Sequence, residues 1–172
     1  KQLIDVTKSW NCSDVTYTTV RLEDFFADIK EQALGLVEIY HQKIDWKAEQ
    51  SDKKVTIAYD PMFRAVMNMI QNAVEHTKEN GIIYIDAKEQ DGRLTFIVED
   101  SGSGFTKEAL LHGTEQFFMD DTSRNGEAHY GMGLFFAKTV AEKYGGGIKL
   151  SNSENTGGAR VEIFFLSSQE TS

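Results

Sequence analysis

With 172 residues, 40% hydrophobic and 26% charged content, the chain suits one globular domain, which at this size buries roughly 70% of its unfolded surface without staples. A net charge of −9 with no Lys/Arg cluster excludes a phosphate-tracking nucleic-acid surface, and the single Cys12 excludes an internal disulfide framework and a multi-cysteine zinc site. No apolar run is long enough to span a bilayer, and no secretory signal pattern opens the chain.

Residues 1–14 are polar and weakly patterned. Residues 16–20, β-branched and aromatic, predict a short strand. From Leu22, the apolar positions Phe25, Phe26, Ile29, Ala33, Leu36, Val37 and Tyr40 recur at helical spacing. Ile44, Trp46 and Ala48 alternate as a strand, Val55, Ile57 and Tyr59 alternate again, and Lys53 and Lys54 sit near the hairpin turn expected between them. Asp60-Pro61 predicts a helix start, with Asp as the cap and Pro in the first turn. Phe63, Val66, Met67, Ile70, Ala73 and Val74 form that helix's core stripe, and Asn80-Gly81 stops it near Thr77.

Ile83, Ile85 and Ala87 form the next strand, and Asp91-Gly92 predicts a type I′ hairpin turn. Leu94, Phe96 and Val98 return and deliver Asp100. Residues 106–112 predict a short helix, and residues 120–129, with Asn125-Gly126, a mobile loop. Residues 131–144 carry another helix pattern, closed by three glycines. Two strands, residues 148–150 and 161–165, flank the turn Thr156-Gly157-Gly158. The order of hairpins and three substantial helices predicts an α+β fold, a mixed or antiparallel sheet with helices on one face.

Three patterns carry chemistry. Asp100-Ser101-Gly102-Ser103-Gly104 sets a carboxylate at a strand exit, followed by two spaced glycines. An ionised carboxylate only accepts hydrogen bonds, and glycine lets another group approach the backbone. The run therefore suits a flat ligand bearing an amino donor, although ordinary strand-exit turns share it. Asn68 and Asn72 lie one helical turn apart, between Arg64 and His76, on a polar face opposite or oblique to the apolar stripe. That face is either simply solvated or supplies amide oxygens to a hard cation such as Mg²⁺. Gly131-Met132-Gly133-Leu134 comes directly before a helix, whose N-terminus favours an anion. The spacing is neither that of a P-loop nor that of a Rossmann turn.

Taken together, in this order and spacing, the three patterns resemble the ATP-binding domain of bacterial two-component sensor histidine kinases. That domain belongs to the GHKL superfamily, with the Bergerat-type α/β sandwich shared with DNA gyrase, MutL and heat-shock chaperones. Residues 67–77 resemble the N box, residues 100–104 and 131–134 the two glycine boxes, and Thr156-Gly157-Gly158-Ala159 the trailing glycine turn. The resemblance implies ATP and Mg²⁺ as ligands. It makes Asn72 the metal ligand and sets Asn68 beside the phosphates. Asp100 would accept from the adenine amino group, Gly102 and Gly104 would shape the adenine pocket, and His76 would stack on the base. Gly131, Met132, Gly133 and Leu134 would join the nucleotide site, with residues 120–129 as the ATP lid.

Glu75 stands where the family often has Lys or Arg, His76 where Tyr is common, and Thr114 where an F-x-x-F box, completed by Phe117, would begin. Asn68 replaces the Glu that activates water in ATP-hydrolysing members, so the resemblance implies phosphoryl transfer to a partner rather than hydrolysis. None of His41, His76, His112 and His129 precedes a proline as a phosphoacceptor would, since Pro61 is the only proline. The expectation is therefore a phosphoacceptor and dimerisation domain ahead of this chain. Residues 1–14 would be a linker or the end of its hairpin, and residues 15–172 the catalytic ATP-binding domain. The implied partners are that domain and a response regulator, with no nucleic acid. This piece would be monomeric, the full protein a homodimer, and the setting the cytoplasmic part of a membrane-bound sensor. The alternatives are a catalytically inactive nucleotide-binding scaffold and an anti-sigma-type serine kinase.

Overall fold

A computed structural model of the chain describes residues 16–116, 118 and 130–169. Its elements in chain order are β1 (Thr18–Arg21), α1 (Leu22–Ile39), β2 (Lys43–Ala48), β3 (Lys54–Ile57), α2 (Tyr59–Glu75), β4 (Ile82–Gln90), β5 (Arg93–Glu99), α3 (Lys107–His112), α4 (Tyr130–Lys143), β6 (Gly147–Asn152), β7 (Ala159–Leu166) and β8 (Ser168–Gln169).

The β4–β5 hairpin forms as its turn dipeptide demands. Asp91 and Gly92 both take positive φ, 54° and 81°, and Gln90 pairs with Arg93. This register puts Ile83, Ile85, Ala87, Leu94, Phe96 and Val98 on one buried face. β7 adds antiparallel to β5, β6 antiparallel to β7, and β2 parallel to β4, giving the order β2-β4-β5-β7-β6. The sheet is thus mixed and mostly antiparallel. Its apolar face is covered by α1, α2 and α4, which contribute Phe25 and Ile29, Val66 and Ile70, and Leu134 and Val140 to one core. Phe96 sits at the junction, with Phe25, Phe26 and Phe165 edge-on at centroid distances of 6.1, 5.5 and 6.5 Å. Each such pair adds about 0.5–1.5 kcal/mol beyond its buried area. The opposite face is polar, where Arg160 bridges Glu99 and Glu162 and Arg93 lies 3.8 Å over the Phe164 ring.

The expected β2–β3 hairpin does not form. β2 joins β4, while β3 pairs with β1 and β8 in a separate three-stranded sheet, ordered β1-β3-β8. The connection between them is tied elsewhere: Ser51 and Lys53 carbonyls accept the Glu23 and Leu22 N–H groups that open α1. Lys53 also reaches the buried Glu89 carboxylate at 3.0 Å. Alternation marks a strand but does not name its partner.

Helix α2 begins two residues earlier than expected. Tyr59 belongs to its first turn rather than to a strand, and Ala58 occupies the cap position without a side-chain bond. Asp60 remains in the first turn, where its charge complements the helix dipole. The far end stops at Glu75, and the buried Gln42 amide donates to the Val74 and Thr77 carbonyls there, at 2.9 and 2.8 Å. The short α3 is capped by Thr106, whose hydroxyl accepts from the Ala109 N–H. Among the described residues, no helix is long and apolar enough to cross a membrane.

Candidate functional site

Asp100 emerges from β5 into the interior and is 1% exposed. Its Oδ1 accepts the Gly102 and Ala159 N–H groups, each at 2.9 Å. Its backbone N–H donates to the Ala159 carbonyl, and the Thr156 hydroxyl donates to its own carbonyl at 2.7 Å. Oδ2 receives no hydrogen bond among the described residues. Burial pushes the carboxyl above the usual range, and the two N–H donors on Oδ1 partly pull it back. The β5–β7 register, in which Glu99 faces Arg160, brings the Thr156–Ala159 turn to this spot.

The loop after Asp100 is clamped from two sides. A Cβ on Gly102 would lie 2.1 Å from the His76 carbonyl oxygen, so the loop rests directly on the end of α2. Gly104, at φ 88°, passes close to the Gly157 carbonyl and the Asn152 side chain. Asn152 then holds Phe105, accepting its N–H at 2.6 Å and donating to its carbonyl at 3.2 Å.

The polar face of α2 is not uniformly solvated. It runs from exposed Arg64 through half-buried Asn68 to Asn72, which is 4% exposed, and then to half-buried His76. Among the described residues, neither the Oδ1 nor the Nδ2 of Asn72 has a partner. A native interior rarely leaves a whole amide unbonded, because each orphaned group costs about 1–3 kcal/mol. His76 Nδ1 lies 3.3 Å from the Asn72 carbonyl oxygen. Glu75 is exposed and accepts from Gln71 at 2.8 Å. Thr77 Oγ1 and Gln42 Oε1, beside the end of α2, are likewise buried without partners among the described residues.

Gly131, Met132, Gly133 and Leu134 lie inside the first turn of α4 rather than ahead of it. Gly133 packs over Asn68, its ideal Cβ position 3.8 Å from the Asn68 carbonyl oxygen. The Leu134 side chain is fully buried in the core. The expected lid, residues 120–129, and Phe117 lie outside the described residues; Thr114 is half-buried. A cavity of about 510 Å³ opens between α1 and α2, lined by Leu36, Phe63, Met67, Arg64 and Asn68 among others. It reaches Asn68 but not Asn72 or Asp100. Among the described residues, no cluster of three His, Cys, Asp or Glu could hold a metal.

The structure therefore brings Asp100, Gly102, Gly104 and the His76 backbone together at one end of α2, and Asn68 and Gly133 together further along it. Sequence reasoning missed the partners that orient Asp100 and its loop. The Ala159 N–H, the Thr156 hydroxyl and the Asn152 amide lie roughly fifty to sixty residues away, and strand register alone delivers them. The one signal for them was the turn-forming Thr156-Gly157-Gly158.

Comparison with known proteins bears on this arrangement. The family described as histidine kinase-, DNA gyrase B-, and HSP90-like ATPase matches residues 58–169. The sensor histidine kinase SpaK of Bacillus subtilis is 38% identical over 120 residues, covering 70% of this chain and 26% of SpaK. The nisin biosynthesis sensor protein NisK of Lactococcus lactis is 32% identical over 162 residues, 92% of this chain and 35% of NisK. The chain thus spans about a quarter to a third of the length of these relatives. Among solved structures, the catalytic domain of histidine kinase ThkA superposes with a TM-score of 0.73 at 20% identity, covering 90% of this chain and 99% of that one. Full-length ShkA in complex with AMPPNP superposes with a TM-score of 0.78 at 18% identity, covering 99% of this chain and 37% of ShkA.

Proposed function

Because the chain belongs to the histidine kinase-, DNA gyrase B-, and HSP90-like ATPase family, we propose that it is the ATP-binding catalytic domain of a sensor histidine kinase. It would present the γ-phosphate of ATP to a histidine on a dimerisation and phosphoacceptor domain outside this chain, for relay to a response regulator. In this reading the whole protein is a homodimeric, membrane-bound sensor and this chain belongs to its cytoplasmic part, with residues 1–14 as a linker or the end of the dimerisation hairpin and 15–172 as the catalytic domain.

The observation that carries the proposal is the division of labour at Asp100. Oδ1 is committed to two backbone donors, which fix the carboxylate plane, and Oδ2 remains to accept from an exocyclic amino group. An adenine amine supplies that donor. The loop Gly102–Gly104 lies close to α2 and would bound the base on one side, and His76 would stack on it. Asn72 fits a cation shared with phosphates: among the described residues its buried Oδ1 has no partner, and the lack of a carboxylate cluster there suits an ion that draws its remaining ligands from phosphate and water. Mg²⁺ bound there would neutralise phosphate charge as it develops in transfer. Backbone N–H groups of residues 131 and 132, in the open first turn of α4, would receive phosphate oxygens, where the helix dipole favours an anion. Asn68, half-buried beside Gly133, is an amide and cannot act as a general base, which favours transfer to a partner over hydrolysis.

Glu75 favours a second reading. It places an acid on the exposed side of α2, bonded to Gln71, and contributes no phosphate contact, as in a nucleotide-sensing scaffold that no longer transfers. An anti-sigma-type serine kinase ranks below both, because such kinases tend to carry Glu where this chain has Asn68. Titration with ADP and a non-hydrolysable ATP analogue, with and without Mg²⁺, tests the site itself. Radiolabel transfer by a longer chain that includes the phosphoacceptor hairpin separates the readings. Acid-labile label on histidine is expected, acid-stable label points to serine, and binding without label points to the scaffold.

A further inference from the structure

The geometry points to Arg64 as the group that recognises the terminal phosphate of the nucleotide, an inference that rests on the ATP site proposed above. His76, Asn72, Asn68 and Arg64 follow one another at one-turn intervals along α2, a row of roughly 18 Å at 1.5 Å rise per residue. The base-recognising carboxylate belongs to one end of this row, where Gly102 touches the His76 carbonyl. A nucleoside triphosphate carries its base and its terminal phosphate at opposite ends. With the base at Asp100 and the cation at Asn72, the phosphate chain runs past Asn68 toward Arg64.

Arg64 is equipped for the role. It is exposed and makes no hydrogen bond or ion pair among the described residues. Among the described residues that line the α1–α2 cavity it is also the one cation, and Asn68 lines the cavity beside it. Glu31 lines the same cavity from α1, yet no ion pair joins the two. In a chain of net charge −9 with an acid at Glu75, this guanidinium supplies positive charge on the face that would receive an anion. Its planar fork matches two phosphate oxygens at once. ADP lacks the phosphate that Arg64 would meet, so Arg64 would set the preference for triphosphate over diphosphate.

The test is calorimetric titration of the unsubstituted chain, Arg64→Gln and Arg64→Lys with Mg-ADP and Mg-AMPPNP, alongside thermal melts. Arg64→Gln is expected to weaken AMPPNP binding about fivefold to tenfold, the range for an exposed charge-assisted contact, and to change ADP affinity less than twofold. Arg64→Lys is expected to retain part of the preference. Equal loss for both nucleotides, or a lower melting temperature with binding unchanged, overturns the assignment and leaves Arg64 as general electrostatics or as a partner for Glu31. If the unsubstituted chain binds neither nucleotide, the ATP site falls first and Arg64 with it.

Discussion

Replacing Asp100 by Asn keeps the oxygen that accepts the Gly102 and Ala159 N–H groups and turns the other carboxylate oxygen into an amide donor. That donor would face the amino group of the base, so calorimetry is expected to show ADP affinity reduced about 10- to 150-fold, the loss of one hydrogen bond to a charged group. The free protein should respond in the opposite direction. Burial raises the native-state pKa of Asp100 above its unfolded value, so the native state holds the proton more tightly. The stability this confers is complete below the unfolded pKa and is lost as pH rises through the native one. Urea midpoints across that window should fall with pH in the unsubstituted chain and fall less in Asp100→Asn. Asp100 itself was legible in the sequence because its signal is local, a carboxylate ending an alternating strand with glycines two and four residues on. The donors that hold it were not, since nothing near Ala159 or Thr156 in the chain records that β7 will lie beside β5 in the register that pairs Glu99 with Arg160.

At the scale of one element, α2 carries both a stability deficit and a reinforcement. The deficit is Asn72, a buried amide with no partner among the described residues. Asn72→Leu, close in volume, should stabilise the nucleotide-free chain by about 1–3 kcal/mol in urea titration while removing the Mg²⁺-dependent part of nucleotide affinity. An equal or lower midpoint would mean that the amide is satisfied in solution. The reinforcement is Gln42, whose amide donates from the loop before β2 to the Val74 carbonyl in the last turn of α2 and to the Thr77 carbonyl just beyond it. Gln42→Ala should cost about 1–3 kcal/mol, two hydrogen bonds' worth, read as a lower urea midpoint. The periodicity of α2 was readable, as was the spacing of its asparagines, but the burial of Asn72 was not. Helical spacing says which residues share a face, and only the packing of α4 and the sheet decides how deep that face lies. The same limit produced the misplaced hairpin at β2 and β3. Two alternating runs a few residues apart look like partners, whereas the tether of Ser51 and Lys53 to the start of α1 separates them.

Across the whole molecule, net charge and ligand charge have the same sign. Long-range repulsion should slow the approach of metal-free ATP at low ionic strength. Raising salt from about 10 to about 150 mM contracts the screening length from about 30 to about 8 Å. Stopped-flow association of metal-free ATP should therefore speed up over that range, and association of Mg-ATP should change less. A rate that falls with salt would place a dominant positive field over the site. The sheet order and its parallel edge pair were beyond local reading, yet the α+β class followed from the succession of hairpins and helices, because a polar-apolar alternation needs one covering layer and these helices supply it.

The small sheet has a mechanical consequence. Thr56 of β3 pairs with Thr19 of β1 on one side and with Ser168 of β8 on the other. With neighbouring strands about 4.8 Å apart, β1 and β8, the first and last strands described, lie within about 10 Å of each other. Tension applied ahead of Thr18 and tension applied beyond Gln169 would load one shared strand, leaving the far end of α2, where Asp100 and its loop sit, out of the direct line of force.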